Sequence, residues 1–178
     1  MGGPQRLTGG TDHTGPDAVL DTPRHAHPNS GPDACAHANP GSARADRGSG
    51  PTASAANWLD GSGVDTSVSY YSDCTGQTPL TQTSAAIDTC VPSELGTDDL
   101  YFVGHNYGVF TLLLNAPDGT VMTYYDGSGV AHTFILEGYV DVPRADGAPE
   151  PPAGTVAQFQ TCLDALGDTI RVFWADAG

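Results

Sequence analysis

A thiol at Cys162, an imidazole at His105 and a guanidinium at Arg171 are the side chains of this sequence best suited to chemistry, and they occur in the order His, Cys, Arg. His105 follows the apolar run Leu100-Tyr-Phe-Val103 and a glycine. Cys162 ends Gln158-Phe-Gln-Thr-Cys162, and Arg171 lies inside Thr169-Ile-Arg-Val-Phe-Trp174. A thiolate is both a nucleophile and a good leaving group, which suits two successive acyl transfers. An imidazole can take and return a proton near neutrality, and a cationic donor can stabilise a developing oxyanion. Each residue alone has a plainer explanation: a strand arginine paired with an acid, an inert core cysteine, a hydrogen-bonded loop histidine.

The elements that must hold these groups read as strands. Leu100–Val103, Thr120–Tyr125, Ala131–Leu136, Gly138–Val142, Thr155–Gln160 and Thr169–Trp174 are short, rich in β-branched and aromatic residues, and bounded by Gly, Pro or Asp. Asp126-Gly-Ser-Gly129 reads as a hairpin connection and Pro117-Asp-Gly119 as a turn. The helical candidates are Val109–Asn115 and Pro92–Leu95. Regular short strands with turn signals predict a closed barrel or sandwich. In the last strand Ile170, Val172 and Trp174 share one face and Arg171 and Phe173 the other. Cys162 is expected just past the end of its strand.

All fourteen aromatic residues lie from Trp58 onward in the 178-residue chain. Residues 1–56 have too little apolar surface to offset their ordering entropy and read as a disordered Gly/Pro/Ala-rich leader or stalk. The predicted domain is 57–178. The chain has no Lys, and the domain holds two Arg against sixteen acids, a net −14 out of −15 for the whole chain. Such a surface repels phosphate backbones, which argues against nucleic-acid partners. The sequence as given shows no signal peptide and no apolar run long enough for a transmembrane helix.

Cys74 and Cys90 stand in a polar stretch that reads as poor in strand, close enough to close a small loop. A disulfide there would contribute roughly 3 kcal/mol; two free thiols are the alternative. Cys35 is an odd thiol in the leader. No Cys-x-x-Cys spacing or other ligand set calls for a metal, no cofactor is expected, and the leader histidines His13, His25, His27 and His37 are too scattered for a site. His132, in a hairpin strand, reads as structural or exposed.

Taken together, Tyr101-Phe-Val-Gly-His-Asn106 followed by Val109-Phe110, and Phe159-Gln-Thr-Cys162 with Arg171 in the final strand, resemble the sortases, the cysteine transpeptidases of Gram-positive surfaces. The resemblance spans about residues 57–178. It implies a mainly β fold, an eight-stranded closed barrel with one or two short helices. By the same likeness Cys162 is the nucleophile, His105 the general acid and base, and Arg171 the group that positions substrate and stabilises the oxyanion. Where the family pattern runs Thr-Leu-x before Thr-Cys, this chain has Gln158, Phe159 and Gln160. Asn106, Gln160 and Thr161 are expected to line the substrate cleft.

The activity implied is cleavage of an LPxTG-like sorting signal through a Cys162 thioester and transfer to an amine, either a cell-wall precursor or a pilin Lys. The implied setting is the outer face of the cell membrane or the wall, the partners are surface proteins with C-terminal sorting signals, and the enzyme is expected as a monomer. With no lysine, the chain cannot itself be a pilin-type acceptor. A papain-like site would place Cys before His. A caspase-like site shares the His-to-Cys spacing but not the signature at Cys162, and an L,D-transpeptidase would need a His-Gly pair shortly before the Cys. The alternative from another class is an inactive sortase-fold binding or structural module.

Overall fold

The computed structural model describes residues 56–72, Cys74 and residues 80–178. The expectations about the leader, including Cys35 and its four histidines, fall outside the described residues. Eight strands follow in chain order: β1 (Trp58–Gly61), β2 (Val64–Tyr71), β3 (Ser84–Asp88), β4 (Leu100–Val103), β5 (Val121–Tyr125), β6 (Ala131–Pro143), β7 (Ala157–Cys162) and β8 (Thr169–Ala177). They close into a barrel in the order β1-β2-β3-β4-β7-β8-β6-β5, with β5 returning to β1. Two pairs are parallel, β2 with β3 and β4 with β7; the other pairs are antiparallel. Among the described strands, closure leaves no edge to template aggregation.

The expected strands from Leu100 onward are present within a few residues of their predicted limits. Two of them, Ala131–Leu136 and Gly138–Val142, are one strand, β6, with a bulge between Leu136 and Gly138. β1 to β3 were not expected. In β2 the inward positions Val64, Thr66 and Val68 alternate with Asp65, Ser67 and Ser69, and the polar Thr66 on the inward side interrupts the apolar period-2 signal. β3 lies in the stretch read as poor in strand, yet its Ala85, Ala86 and Ile87 are buried between β2 and β4. Small residues suit a strand whose two faces are both covered.

The helical expectation is met in part. One α-helix, α1 (Cys90–Leu95), starts where Asp88 Oδ1 accepts the Cys90 and Val91 N–H groups at 2.8 and 3.3 Å. It ends at Gly96, in the left-handed region at φ 72°. Residues 106–112 form turns rather than a helix, followed by a short 3₁₀ turn at Leu113–Asn115. Cys74 and Cys90 are joined by a disulfide with 5.7 Å between Cα atoms, which ties α1 to the segment after β2.

The β-strand alternation divides the apolar residues into two groups. The barrel interior holds Phe102, Phe110, Tyr124, Phe134, Phe159 and Phe173 among aliphatic neighbours, with Phe102 stacked on Phe159 at 4.9 Å. The second cluster lies on the opposite face of β4, β7 and β8: Tyr101, Val103, Cys162, Ile170 and Val172, covered by Val91 of α1 and by Leu80, Leu95, Val140, Val142 and Ala148.

Candidate active site

Three rows of side chains run across that second face. The register pairs Tyr101 with Gln158 and Gln158 with Trp174 in the first row. The second is Val103, Gln160, Val172 and Val140, and the third contains Cys162, Ile170 and Val142. β4 and β7 run parallel, and the ladder continues past Val103, since the Gly104 N–H donates to the Gln160 carbonyl at 3.1 Å. One residue further, the same register would set His105 level with Cys162.

The turn that carries His105 is packed by two glycines. A Cβ on Gly104 would stand 2.7 Å from the Phe110 ring, and one on Gly108 would collide with the Gln82 carbonyl oxygen. The His105 carbonyl accepts N–H groups from Gly108 and Phe110 at 3.2 and 3.1 Å. Gly104→Ala is therefore expected to push the Phe110 ring out of the core and to cost about 1–2 kcal/mol by overpacking. Thermal unfolding of the variant checks this, and an unchanged Tm would contradict it.

His105 is 8% exposed. Burial lowers the pKa of its imidazole, and a hydrogen bond to the Leu80 backbone partly opposes that shift. The ring is thus neutral at neutral pH, the state needed to accept a proton. Cys162 is fully buried, and its sulfur is in a disulfide rather than a thiol. It is the last residue of β7 rather than one beyond it.

Arg171 stands one register position from the Cys162–Ile170 pair, on the other face of β8. It pairs with Thr161 on β7 and with Asp141 on β6, so it shares the inward-facing side of β8 with Phe173 and not the face of Cys162 and Ile170. Its Nε and Nη2 donate to the two Asp141 carboxylate oxygens at 2.7 and 2.8 Å, and Nη1 donates to the Leu114 carbonyl at 2.8 Å. The guanidinium lies 3.8 Å from the Tyr139 ring centroid. The hydrogen bonds to Asp141 raise its pKa further. The acceptor on Leu114 belongs to the segment that follows the His105 turn, so Arg171 fastens that segment to β6 and β8.

The expected cleft residues divide in the same way. Gln160 shares the Cys162 face, and Tyr101 donates its phenol O–H to Gln160 Oε1 at 2.6 Å. Thr161 is buried on the inward side. Asn106 is 4% exposed at the start of the turn, where its carbonyl accepts the Thr111 hydroxyl at 2.7 Å. His132 is exposed, and its Nε2 lies 3.0 Å from Asp126 Oδ2 in the β5–β6 hairpin, a structural contact. Among the described residues no group of three or more His, Cys, Asp or Glu side chains could hold a metal ion.

Sequence reasoning did not single out Asp164, which shapes the loop directly after Cys162. Its Oδ1 accepts the N–H groups of Leu166, Gly167 and Asp168 at 3.0, 2.6 and 3.1 Å, and its Oδ2 that of Thr169 at 3.0 Å. Desolvation works against the charge, yet these four backbone donors bring the carboxyl below its usual range. A lowered folded-state value stabilises the loop above the unfolded carboxyl range near 4 and loses that contribution as pH falls through the folded value. Asp164→Ala should speed amide exchange at 166–169 by about tenfold or more. Unchanged exchange would show that the carboxylate does not hold the loop. The signal available in the sequence was an Asp followed three residues later by Gly, a common loop-closing pattern.

The chain forms a closed eight-stranded barrel with two parallel pairs, and solved sortases share this fold. The chain is 14% identical to a lid mutant of sortase A from Corynebacterium diphtheriae over 74% of this chain and 73% of that one, with a TM-score of 0.53. It is 10% identical to sortase A of Listeria monocytogenes, over 68% of this chain and 85% of that one, at 0.52. For a Clostridium perfringens sortase D transpeptidase the identity is 13%, the coverage 68% and 77%, and the TM-score 0.52. No protein-family model and no curated protein matches the sequence. The protein is a sortase-fold protein, a likeness carried by its architecture. Among the described residues no helix is long and apolar enough to cross a membrane.

Proposed function

We propose that the protein is a cysteine acyltransferase of the sortase type, in which Cys162 and His105 carry the reaction. The observation that supports this reading is the parallel register of β4 and β7, which runs toward His105 and Cys162 at the same ends of the two strands. With Cys162 reduced, neutral His105 takes the thiol proton and the sulfur attacks a peptide carbonyl. The C–N bond breaks, the departing amine receives the proton from His105, and a thioester remains. An incoming amine then attacks the thioester, loses a proton to His105, and leaves as a new amide while the thiol is restored.

By the same proposal the acyl donor is a surface protein with an LPxTG-like C-terminal signal, and the acceptor is a wall-precursor or pilin amine at the cell surface. Arg171 serves as a positioning residue, through Asp141 and Leu114. Its place on the other side of β8 also favours a second reading, a sortase-fold module without turnover.

Mass spectrometry of the reduced protein after incubation with a library of LPxTG-like peptides separates the two. A thioester adduct on Cys162 supports the acyltransferase. No adduct, from a protein whose reduced Cys162 is readily alkylated, supports the module.

A further inference from the structure

Two glutamines of β7 have half of their amide groups unused. Gln158 and Gln160 are 0% and 1% exposed and point to the Cys162 face. Gln158 Nε2 donates to Asp99 Oδ2 at 3.2 Å. A carboxylate only accepts, so this contact settles which end of the amide is nitrogen and leaves Oε1 on the other side. That oxygen is buried without a hydrogen-bond partner. In Gln160 the order is reversed. Its Oε1 accepts the Tyr101 phenol, and its Nε2 is the buried atom with no partner. Burial raises the Tyr101 pKa, so the phenol keeps its proton and acts as the donor.

A buried amide left half-satisfied is costly, and native interiors seldom contain one without a use. Here one acceptor and one donor occur at i and i+2 on the same strand face, roughly 7 Å apart at their Cβ atoms, and the next residue on that face of β7 is Cys162. Trp174 Nε1, beside Gln158 on β8, is a further buried donor without a partner. An amide group carries both complements, a carbonyl for Gln160 and an N–H for Gln158. A carboxylate would satisfy only the donor. It would also enter a domain with sixteen acids and two Arg, one of them bonded to Asp141.

We infer that Gln158 and Gln160 form an amide-reading subsite beside Cys162, which selects an acyl-donor peptide by an uncharged amide placed over β7. This rests on the acyltransferase reading and specifies its substrate. The amide belongs either to an Asn or Gln side chain of the peptide or to one of its backbone peptide bonds. The row is covered in this structure, and Leu80, packed on the same cluster and hydrogen-bonded to His105, is part of the cover that an occupant displaces.

The test uses two sets of LPxTG-based peptides: one with Asn, Gln, Asp or Leu at each position in turn, and one with single N-methylated peptide bonds. Acylation of reduced protein is followed by mass spectrometry. Occupancy without turnover is followed through the side-chain NH2 resonances of Gln158 and Gln160 in Cys162→Ala. A side-chain amide predicts that Asn or Gln at one position is preferred, and a backbone amide predicts that one N-methylation is most harmful.

In either case Gln160→Leu should lower kcat/KM for the preferred peptide by about 10- to 100-fold, through KM, the effect of leaving a buried amide unpaired. It should also narrow the preference over Leu. Identical peptide rankings and N-methyl penalties in wild type and Gln160→Leu would overturn the subsite, as would NH2 signals that do not respond to a peptide that acylates. Responding signals without any acylation would uphold the subsite and remove the transpeptidase. Neither response from any peptide would remove both.

Discussion

Cys162 gains the mass of an acyl fragment only after the protein is reduced, and Cys162→Ala gains none under any condition. This is the expected result of incubation with a reactive sorting peptide. The structure holds the sulfur in a disulfide, and a disulfide sulfur has no thiolate to offer. Reduction is therefore a precondition, and iodoacetamide should label the Cys162 peptide fully after reduction and not before. On the proposed acyltransferase reading, loss of Cys162 should reduce turnover by at least about 10⁴-fold, the scale seen when covalent acyl-transfer enzymes lose their nucleophile.

His105→Ala should be nearly as damaging, and the pH profile gives its role. Burial lowers the imidazole pKa from its ordinary value of 6.5, so the neutral base persists below that value. Activity should therefore hold at neutral pH and fall on the acid side, with a midpoint below 6.5. Because the folded-state value is the lower one, acid also destabilises the fold. That loss begins as pH falls through the unfolded value and is complete below the folded one. Acylation that proceeds equally with and without reductant would contradict the role of the disulfide, and acylation of Cys162→Ala would contradict the nucleophile.

Arg171→Ala and Asp141→Ala should do similar harm, and the double variant should be little worse than either. Arg171 makes three hydrogen bonds, two to one carboxylate, and lies over the Tyr139 ring. Its side chain is 15% exposed and that of Asp141 37%, so the charge attraction is partly screened. Loss of the bidentate pair, the Leu114 contact and the ring contact is expected to cost about 2–3 kcal/mol after that discount. Since the two residues act mainly through each other, a double-mutant cycle should show strong coupling.

The expected consequence for activity is indirect: the segment after the His105 turn loses its tie to β8, and all peptides slow together. A different pattern would overturn this. If Arg171→Ala lost about 10²–10³ in rate at unchanged stability, while Asp141→Ala stayed active, the guanidinium would be acting on the oxyanion. The family likeness assigns that role, whereas the register of β8 favours the clamp.

Much of this molecule was legible in the residues. The strands from Leu100 to Trp174 were readable because their apolar and β-branched residues recur in short runs between Gly, Pro and Asp. The hairpin at Asp126 was readable because its turn chemistry is local. The two motifs around His105 and Cys162 carried the family likeness, which the barrel bears out as a fold. β2 and β3 were hidden because Ser, Asp and Ala make poor strand signals and Thr66 puts a polar residue in the inward series, whereas their pairing with neighbouring strands is tertiary. The Cys74–Cys90 pair was legible as a possibility. Closing it required their Cα atoms to come within 5.7 Å, which depends on where β2 ends and α1 begins.

The parity of Arg171 shows where local information ends. Alternation along β8 already grouped it with Phe173, opposite Ile170, Val172 and Trp174. Which of those faces Cys162 would share was set by the register in which β7 and β6 pair with β8: Cys162 came to lie opposite Ile170, and Arg171 opposite Thr161 and Asp141. A slip of one residue in that register would have reversed the outcome, because the side-chain period of a strand is two. The sequence by itself thus determined which groups are available for chemistry and which strands carry them. The tertiary structure alone decided how those groups are arranged: it paired β4 with β7 in the parallel register that runs toward His105 and Cys162, directed Arg171 to Asp141, and left two buried amides half-satisfied on the Cys162 face of β7.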